Sequence, residues 1–308
     1  MKILVVGAGA IGGYFGGRLL EKGEDVTILV RERRKRQLEE TGLNIESING
    51  DVRLMPKLIT KEEHTEEFDI VLVSTKSYQL QAAIDDLRPF VKEGTMVLPL
   101  LNGIAHIDAL VEAFGEEAVL GGLCFIESTL DEKGTIVQAS SMNQLVYGER
   151  NGKKSERINR LKEVFEGTKA DFVLSCNINQ EMWHKYFFIT AMSGITSMMA
   201  SPIGPIRELE TGQRTIAAFM EELAAIMKRI GAPIKDNIVE EQLAKLNMMA
   251  HGMKTSMQRD MEKAQPIEAD HLQGYLWKKG KEAKVETPIL ETIYTKLLLY
   301  QKKLEKIE

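Results

Sequence analysis

The sequence contains only two cysteines, Cys124 and Cys176, among its 308 residues. Two thiols cannot form a disulfide framework or a metal cluster, so the composition excludes a disulfide-stabilised secreted domain. The histidines are also not spaced as metal ligands. We therefore expect ordinary thiols, no bound metal and a cytoplasmic protein.

The sequence also lacks a long apolar run and an excess of positive charge. Its most apolar segment, residues 186–200, is shorter than a bilayer-crossing helix and contains two threonines and two serines. The formal net charge of −5 argues against a general nucleic-acid binder. Because the first predicted strand begins at once, we expect neither a signal peptide nor a membrane partner.

What the sequence does contain is a nucleotide-binding pattern near its start. Residues 1–6 form a short run rich in Ile and Val, which is typical of a buried parallel strand. A G-x-G-x-x-G motif follows and leads into a segment with helical spacing of apolar residues. Such glycines allow a tight turn, close approach of a pyrophosphate to the backbone, and close packing of helix on strand. The helix N-terminus then offers free N–H groups to the phosphates. The motif predicts a cofactor site at Gly7, Ala8, Gly9, Ala10, Ile11 and Gly12.

The residue after the second predicted strand indicates which dinucleotide binds. That strand covers residues 25–30, and sites for NAD usually place an acidic residue at its end. This chain has Arg31 instead, followed by Glu32 and then four more basic residues. A guanidinium group suits the oxygens of a 2′-phosphate, so we predict NADP(H). The alternative is a solvent-exposed basic helix start that binds no phosphate.

Strands and helices alternate over the following residues. Residues 68–75 and 95–101 are predicted as buried strands, each followed by a helix, and 118–126 as a further strand. This alternation predicts an α/β Rossmann-type domain with a doubly wound parallel sheet. Ligands bind at the carboxyl ends of such strands. Lys76 and Asn102 each stand at a strand end, so we expect both at the site rather than in ordinary loops.

The pattern changes in the second half of the chain. Short strands are predicted over 135–138 and 144–147, and a last strand over 171–175. After Cys176 the apolar spacing is helical throughout. We therefore predict an NADP-binding Rossmann-type domain over residues 1–177 and an all-α C-terminal domain, for substrate binding and dimerisation, over residues 178–308.

Taken together, these motifs give the chain a resemblance to the ketopantoate reductase (2-dehydropantoate 2-reductase) family over essentially its whole length. The resemblance is specific because the order and spacing of the motifs match as well as their identity. The matching motifs are G-A-G-A-I-G at Gly7–Gly12, Arg31, Thr75-Lys76, Asn102-Gly103, Trp183-His184-Lys185, Ser256-Met257, and Glu268 in P-I-E-A-D.

The resemblance implies a catalytic lysine at Lys185 and, at Glu268, an acid that helps hold the substrate and tune the site. It implies a carboxylate-binding residue at Ser256, and it places Lys76 and Asn102 near the nicotinamide. The chemistry is consistent with this, since hydride reduction of a ketone leaves an alkoxide unless a group such as an ammonium delivers a proton. From the residues alone, Lys185 in its apolar helix could instead extend to solvent, and Glu268 could be an ordinary surface acid.

Four positions depart from the family's pattern. Ile189, Ser193 and Ile203 stand where asparagines are common, and Leu101 stands where a glutamine often precedes the N-G pair. Isoleucine cannot replace the hydrogen bonds of an amide to a hydroxylated acid. We therefore expect an intact cofactor half and acid–base pair, with a changed polar lining in the substrate pocket. Ser193 remains a candidate for substrate binding.

The resemblance implies NADPH-dependent reduction of a 2-oxo acid, most directly of 2-dehydropantoate (ketopantoate) to pantoate in pantothenate and coenzyme A biosynthesis. One alternative is a paralogous NADPH-dependent reductase of a different, more apolar ketone or 2-oxo acid. Another is a non-catalytic NADPH-binding sensor. The predicted partner is a small-molecule substrate, with neither nucleic acid nor membrane involved, and a homodimer is one option for the apolar helical domain.

Overall fold

The computed structural model describes residues 1–63 and 67–306. The chain divides into two compact units. The first consists of Met1–Asn102 with His106–Asn179, and the second of Gly103–Ala105 with Gln180–Glu308. No helix within the described residues is long and apolar enough to cross a membrane.

The first part of the chain alternates between strands and helices. The strands are β1 (Lys2–Val6), β2 (Asp25–Leu29), β3 (Leu43–Ser47), β4 (Val52–Leu54), β5 (Lys57–Ile59), β6 (Ile70–Val73), β7 (Met96–Pro99), β8 (Gly121–Leu130), β9 (Ile136–Gly148) and β10 (Asp171–Leu174). The helices are α1 (Gly12–Lys22), α2 (Glu32–Thr41), α3 (Leu80–Leu87), α4 (Ala105–Phe114) and α5 (Glu156–Phe165).

Five of these strands form a fully parallel sheet in the order β5-β2-β1-β6-β7. The register is level at the carboxyl ends, since Val6 pairs with both Leu29 and Val73, and Val73 pairs with Pro99. The chain moves to one side of β1 first and then returns to its other side, which makes the boundary between β1 and β6 the switch point of the sheet. The predicted doubly wound parallel sheet is thus confirmed.

A second sheet, in the order β10-β9-β3-β4 with β8 paired to β9, was not predicted. The strand predicted over 118–126 does not extend the parallel sheet: β8 runs antiparallel to β9, and Val119 forms an isolated bridge to Val97. The two short strands predicted over 135–138 and 144–147 are one long strand, β9, whose register with β8 shifts beside its small polar middle. Strand pairing decides such cases, and local composition does not report which strands pair.

Helix α1 contacts both sheets, which explains why it is so rich in glycine. A Cβ on Gly16 would lie 2.8 Å from the side chain of Val5 in the parallel sheet. Cβ atoms on Gly13 and Gly17 would lie 2.5 and 2.6 Å from side chains of the second sheet. Larger residues at these positions would force the helix away from its neighbours.

The second unit is helical. Its helices are α6 (Ile178–Met199), α7 (Ile203–Glu208), α8 (Glu210–Arg229), α9 (Ile238–Met248), α10 (Ser256–Glu262), α11 (Tyr275–Glu282) and α12 (Pro288–Leu304). One π-helical turn, Asp270–Gly274, leads directly into α11. The apolar stripe of α8 is buried, as its helical spacing predicts.

Candidate active site

The carboxyl ends of four neighbouring strands bring the predicted cofactor residues to one edge of the parallel sheet. In the order of the strands across that edge, these residues are Arg31 after β2, Gly7 after β1, Lys76 after β6 and Asn102 after β7. Adjacent strands lie about 4.8 Å apart, so the four strands span about 14 Å. An extended dinucleotide can lie along an edge of this length, with its phosphates at the switch point.

The glycine-rich turn has the geometry that a pyrophosphate site needs. Gly7 has φ +94°, and a Cβ there would lie 2.4 Å from the main-chain oxygen of Ser74. A Cβ on Gly12 would lie 2.3 Å from the main-chain oxygen of Gly7. Gly9, by contrast, has open space where its Cβ would stand. The turn is therefore closed on its protein side and open where a ligand would approach.

A cavity of about 960 Å³ lies beside this turn, within the first unit. The turn itself, the first residues of α2 and the connection between β8 and β9 form much of its wall. Thr75 also lines the cavity, and its buried hydroxyl has no hydrogen-bond partner among the described residues. The volume, the open side of the turn and this hydroxyl fit a nicotinamide dinucleotide.

Arg31 stands at the N-cap of α2 with an exposed side chain that lines the cavity. Arg33 and Lys61 also line it, together with the acids Glu32 and Glu62. A cation and a helix N-terminus are thus present where a 2′-phosphate would bind, although acidic groups lie nearby.

In the second unit, Lys185 lies half-buried on α6, one residue before the fully buried Tyr186. The hydroxyl of Tyr186 donates a hydrogen bond to the main-chain oxygen of Leu272 at 2.6 Å. Burial raises the pKa of Tyr186 well above its usual value, so the phenol remains a donor. Leu272 in turn donates its main-chain N–H to the main-chain oxygen of Glu268 at 3.1 Å. The fold therefore attaches the segment of Glu268 to α6 beside Lys185.

A second pair of hydrogen bonds holds the same two segments together. The side-chain amide of Gln273 donates to the main-chain oxygen of Thr190 at 3.1 Å and to the hydroxyl of Ser193 at 2.8 Å. Gln273 is fully buried. Gln273 could not be identified from the sequence, since a lone glutamine in a helical segment carries no signal until its partner is known.

The departures from the family pattern occupy different environments. Leu101 and Ile203 are core residues, with exposures of 5% and 0%. Ser193 is buried against Gln273. Ile189 is half-buried one helical turn after Lys185, on the same face of α6.

The remaining predicted substrate residue, Ser256, is the exposed first residue of α10. Thr255 before it caps that helix, and its hydroxyl lies 3.1 Å from the hydroxyl of Thr196 on α6. The predicted catalytic and substrate residues thus lie on α6 or on segments that contact it. Lys185 and Ser193 are on α6, whereas Glu268 and Ser256 are on the contacting segments. Their roles stay predictions.

Comparison with known proteins identifies the family. The model of the ketopantoate reductase PanE/ApbA family matches residues 3–152, and that of its C-terminal domain matches residues 177–301. The chain belongs to the ketopantoate reductase family. It is an oxidoreductase that acts on CH–OH groups and uses a nicotinamide dinucleotide as its cofactor.

Individual relatives extend over the whole chain. It is 45% identical over 301 residues to the uncharacterized oxidoreductase YkpB of Bacillus subtilis, covering 98% of this chain and 99% of that one. The crystal structure of 2-dehydropantoate 2-reductase from Geobacter metallireducens is 28% identical, with a TM-score of 0.86 and coverage of 97% and 99%. D-mandelate dehydrogenase, solved with NADH and anilino(oxo)acetate, shares the fold at 22% identity and a TM-score of 0.86, covering 99% and 100%.

Proposed function

We propose that the protein reduces a 2-oxo acid with NADPH, with 2-dehydropantoate as the first candidate substrate. The observation that carries this proposal is the attachment of the Glu268 segment to α6 beside Lys185, through Tyr186 and Leu272. Because of this attachment, the ammonium group of Lys185 and the carboxylate of Glu268 lie on two segments that are fixed to each other. A site that delivers a proton requires such fixed groups.

Each residue has a stated role in this proposal. When bound, the nicotinamide supplies the hydride that reduces the carbonyl carbon of the substrate. Lys185 donates a hydrogen bond to the carbonyl oxygen and delivers a proton as negative charge develops there, which yields the hydroxyl group. Glu268 helps to hold the substrate and to tune Lys185. Ser256 binds the carboxylate of the substrate. Ser193 also binds the substrate.

The other residues act on the cofactor side of the same reaction. Lys76 and Asn102 position the nicotinamide and the substrate, and Arg31 binds the 2′-phosphate. Support for these roles comes from the common edge of the parallel sheet on which all three residues lie.

A second candidate is the reduction of a more apolar 2-oxo acid or ketone. The half-buried Ile189 favours it, because an isoleucine one turn after Lys185 cannot hydrogen-bond a substrate hydroxyl. D-mandelate dehydrogenase, which has a similar fold, was solved with anilino(oxo)acetate, an acid that carries an aromatic ring.

A steady-state assay distinguishes the two candidates. NADPH oxidation is followed by absorbance with 2-dehydropantoate, with branched aliphatic 2-oxo acids and with aryl 2-oxo acids. A clear preference for 2-dehydropantoate supports the first candidate, and a preference for the apolar acids supports the second. Tight NADPH binding without turnover of any carbonyl would instead favour the cofactor-binding sensor. The role in pantothenate formation, the cytoplasmic location and the homodimer stay predictions.

A further inference from the structure

The guanidinium group of Arg34 connects the two sides of the cofactor cavity in the first unit. Its Nη2 donates to the main-chain oxygen of Ala8 and to that of Gly134, both at 3.3 Å. Ala8 belongs to the glycine-rich turn (Gly7–Gly12), and Gly134 to the hairpin turn between β8 and β9 (Asp131–Thr135). Both turns contribute residues to the cavity wall, as does Arg34 itself.

The hairpin turn packs against α2 through further contacts of Arg34 and Gln37. Gln37 accepts a hydrogen bond from Arg34 Nη1 at 2.7 Å and donates one to the main-chain oxygen of Lys133 at 3.0 Å. Gly134 has φ +83°, and a Cβ there would lie 2.5 Å from Arg34 Nη1. The side chain of Asp131 accepts N–H bonds from Lys133 and Thr135 at 2.9 and 2.7 Å, which fixes the turn itself.

The contact to Ala8 sets the direction of a main-chain donor. In a trans peptide the carbonyl oxygen and the following N–H point to opposite sides. A hydrogen bond from Arg34 to the oxygen of Ala8 therefore orients the N–H of Gly9, whose Cβ position is open space. Ser128 repeats the arrangement, since its hydroxyl donates to the oxygen of Ala10 at 3.1 Å and so orients the N–H of Ile11.

We propose that Arg34 is a positioning residue for the dinucleotide, which holds the glycine-rich turn and the hairpin turn in place so that main-chain N–H groups face the pyrophosphate. The proposal rests on the assignment of this cavity to NADP(H). Arg34 acts on the part of the cofactor that NADPH and NADH share, and not on the 2′-phosphate. Pre-oriented donors bind an anion more tightly than donors that must first be ordered.

Arg31 and Arg34 therefore differ in a measurable way. Arg31→Ala should weaken NADPH and leave NADH nearly unchanged. Arg34→Lys keeps the positive charge, but one ammonium nitrogen cannot take the places of both Nη1, which donates to Gln37, and Nη2, which donates to the two carbonyls. It should weaken both cofactors by the same factor, about tenfold for the loss of a charge-assisted hydrogen bond.

The test measures dissociation constants of NADPH and NADH by cofactor fluorescence for the wild type and for Arg34→Lys, Arg31→Ala and Arg36→Ala. Arg36 is the matched control, because it lies on the same helix with a side chain that is 79% exposed. An equal loss for both cofactors in Arg34→Lys, with Arg36→Ala unchanged, is the expected result. A selective loss of NADPH would overturn the proposal by making Arg34 a phosphate ligand, and so would unchanged binding of both.

Amide hydrogen exchange of the cofactor-free protein supplies a readout that does not depend on the function. In Arg34→Lys, amides of residues 8–13 and 131–135 should exchange faster, while the other amides keep their wild-type rates. Unchanged exchange in both turns, or faster exchange throughout, would overturn the positioning role. Failure of the wild type to bind either dinucleotide would instead remove the assignment of the cavity, whatever the exchange rates show.

Discussion

Tyr186 donates its hydroxyl to the main-chain oxygen of Leu272 at 2.6 Å, and this bond joins the two segments that carry the residues assigned to acid–base chemistry. Lys185 precedes Tyr186 on α6, and the main-chain oxygen of Glu268 accepts the main-chain N–H of Leu272. The spacing of the lysine and the acid therefore depends on a buried hydrogen bond that neither residue makes. This relationship gives the acid–base proposal a structural basis that can be tested separately from the chemistry.

Removing the lysine should lower turnover strongly without affecting cofactor binding. Lys185→Ala is expected to lower kcat by about 10²- to 10⁴-fold, the usual contribution of a general acid. NADPH affinity should stay within about twofold, since the cofactor residues lie in the first unit. The control is Lys278→Ala, an exposed lysine of α11. Turnover close to the wild-type rate in Lys185→Ala would refute the assignment.

The Tyr186 hydroxyl should matter for both stability and rate. Tyr186→Phe leaves the oxygen of Leu272 without its buried donor, so urea denaturation should show a loss of about 1–3 kcal/mol in the free energy of unfolding. The value of kcat should also fall, because the Glu268 segment is less firmly held.

Tyr147→Phe is the matched control for this change. Tyr147 is also fully buried, but its hydroxyl has no hydrogen-bond partner among the described residues. Its replacement should therefore leave stability unchanged or slightly increased. An equal loss of stability and rate in both variants would show that the bond to Leu272 has no particular role.

Arg31 should determine the preference between the two dinucleotides. Arg31→Ala is expected to raise the KM for NADPH by about tenfold or more, the effect of a lost charge-assisted hydrogen bond to phosphate. The KM for NADH should change little. Equal effects on both KM values would contradict the binding of a 2′-phosphate by Arg31.

Stability should decrease below neutral pH because of His184, the neighbour of Lys185. Its Nε2 accepts the main-chain N–H of Lys235 at 3.2 Å, a contact that protonation removes. Burial lowers the pKa of His184, the charges of Lys235 and Lys245 add to this, and Glu241 and Glu181 oppose it. A histidine whose pKa is lowered in the folded state stabilises the protein fully at pH values above 6.5, its ordinary pKa. That stability is lost as the pH falls through the lower pKa of the folded state.

His184→Gln should therefore reduce the drop in melting temperature between pH 7.5 and about pH 5, because glutamine can accept the same N–H without titrating. His251→Gln provides the comparison, since His251 is exposed beside Glu208. A wild-type pH dependence that persists unchanged in His184→Gln would contradict this account.

The cofactor half of the molecule was predictable because its signals are local. The glycine motif, the strand ends at Lys76 and Asn102 and the arginine after β2 each depend on a few consecutive residues, and the level register of the parallel sheet then brings them to one edge. The second sheet was not predictable in this way, since β9 has a polar middle and pairs with β3, about 90 residues earlier in the chain, as well as with its neighbour β8.

The residues that orient the site could not be predicted from the sequence either, because their contacts join segments that are far apart along the chain. Arg34 is one of several basic residues after Arg31, and its contacts with Ala8 and Gly134 join positions 26 and 100 residues apart. Gln273 reaches Ser193 across 80 residues. Such positioning contacts appear only when the distant segments are placed together in the fold.

The most direct test of the central claim follows the hydride itself. Purified protein is given NADPH with deuterium at both C4 positions together with each 2-oxo acid, and the product is analysed by mass spectrometry. The account predicts a 2-hydroxy acid that carries one deuterium at C2, formed by the wild type about 10²- to 10⁴-fold faster than by Lys185→Ala. If NADPH binds but none of the acids yields a deuterated hydroxy acid, the protein is not a 2-oxo acid reductase.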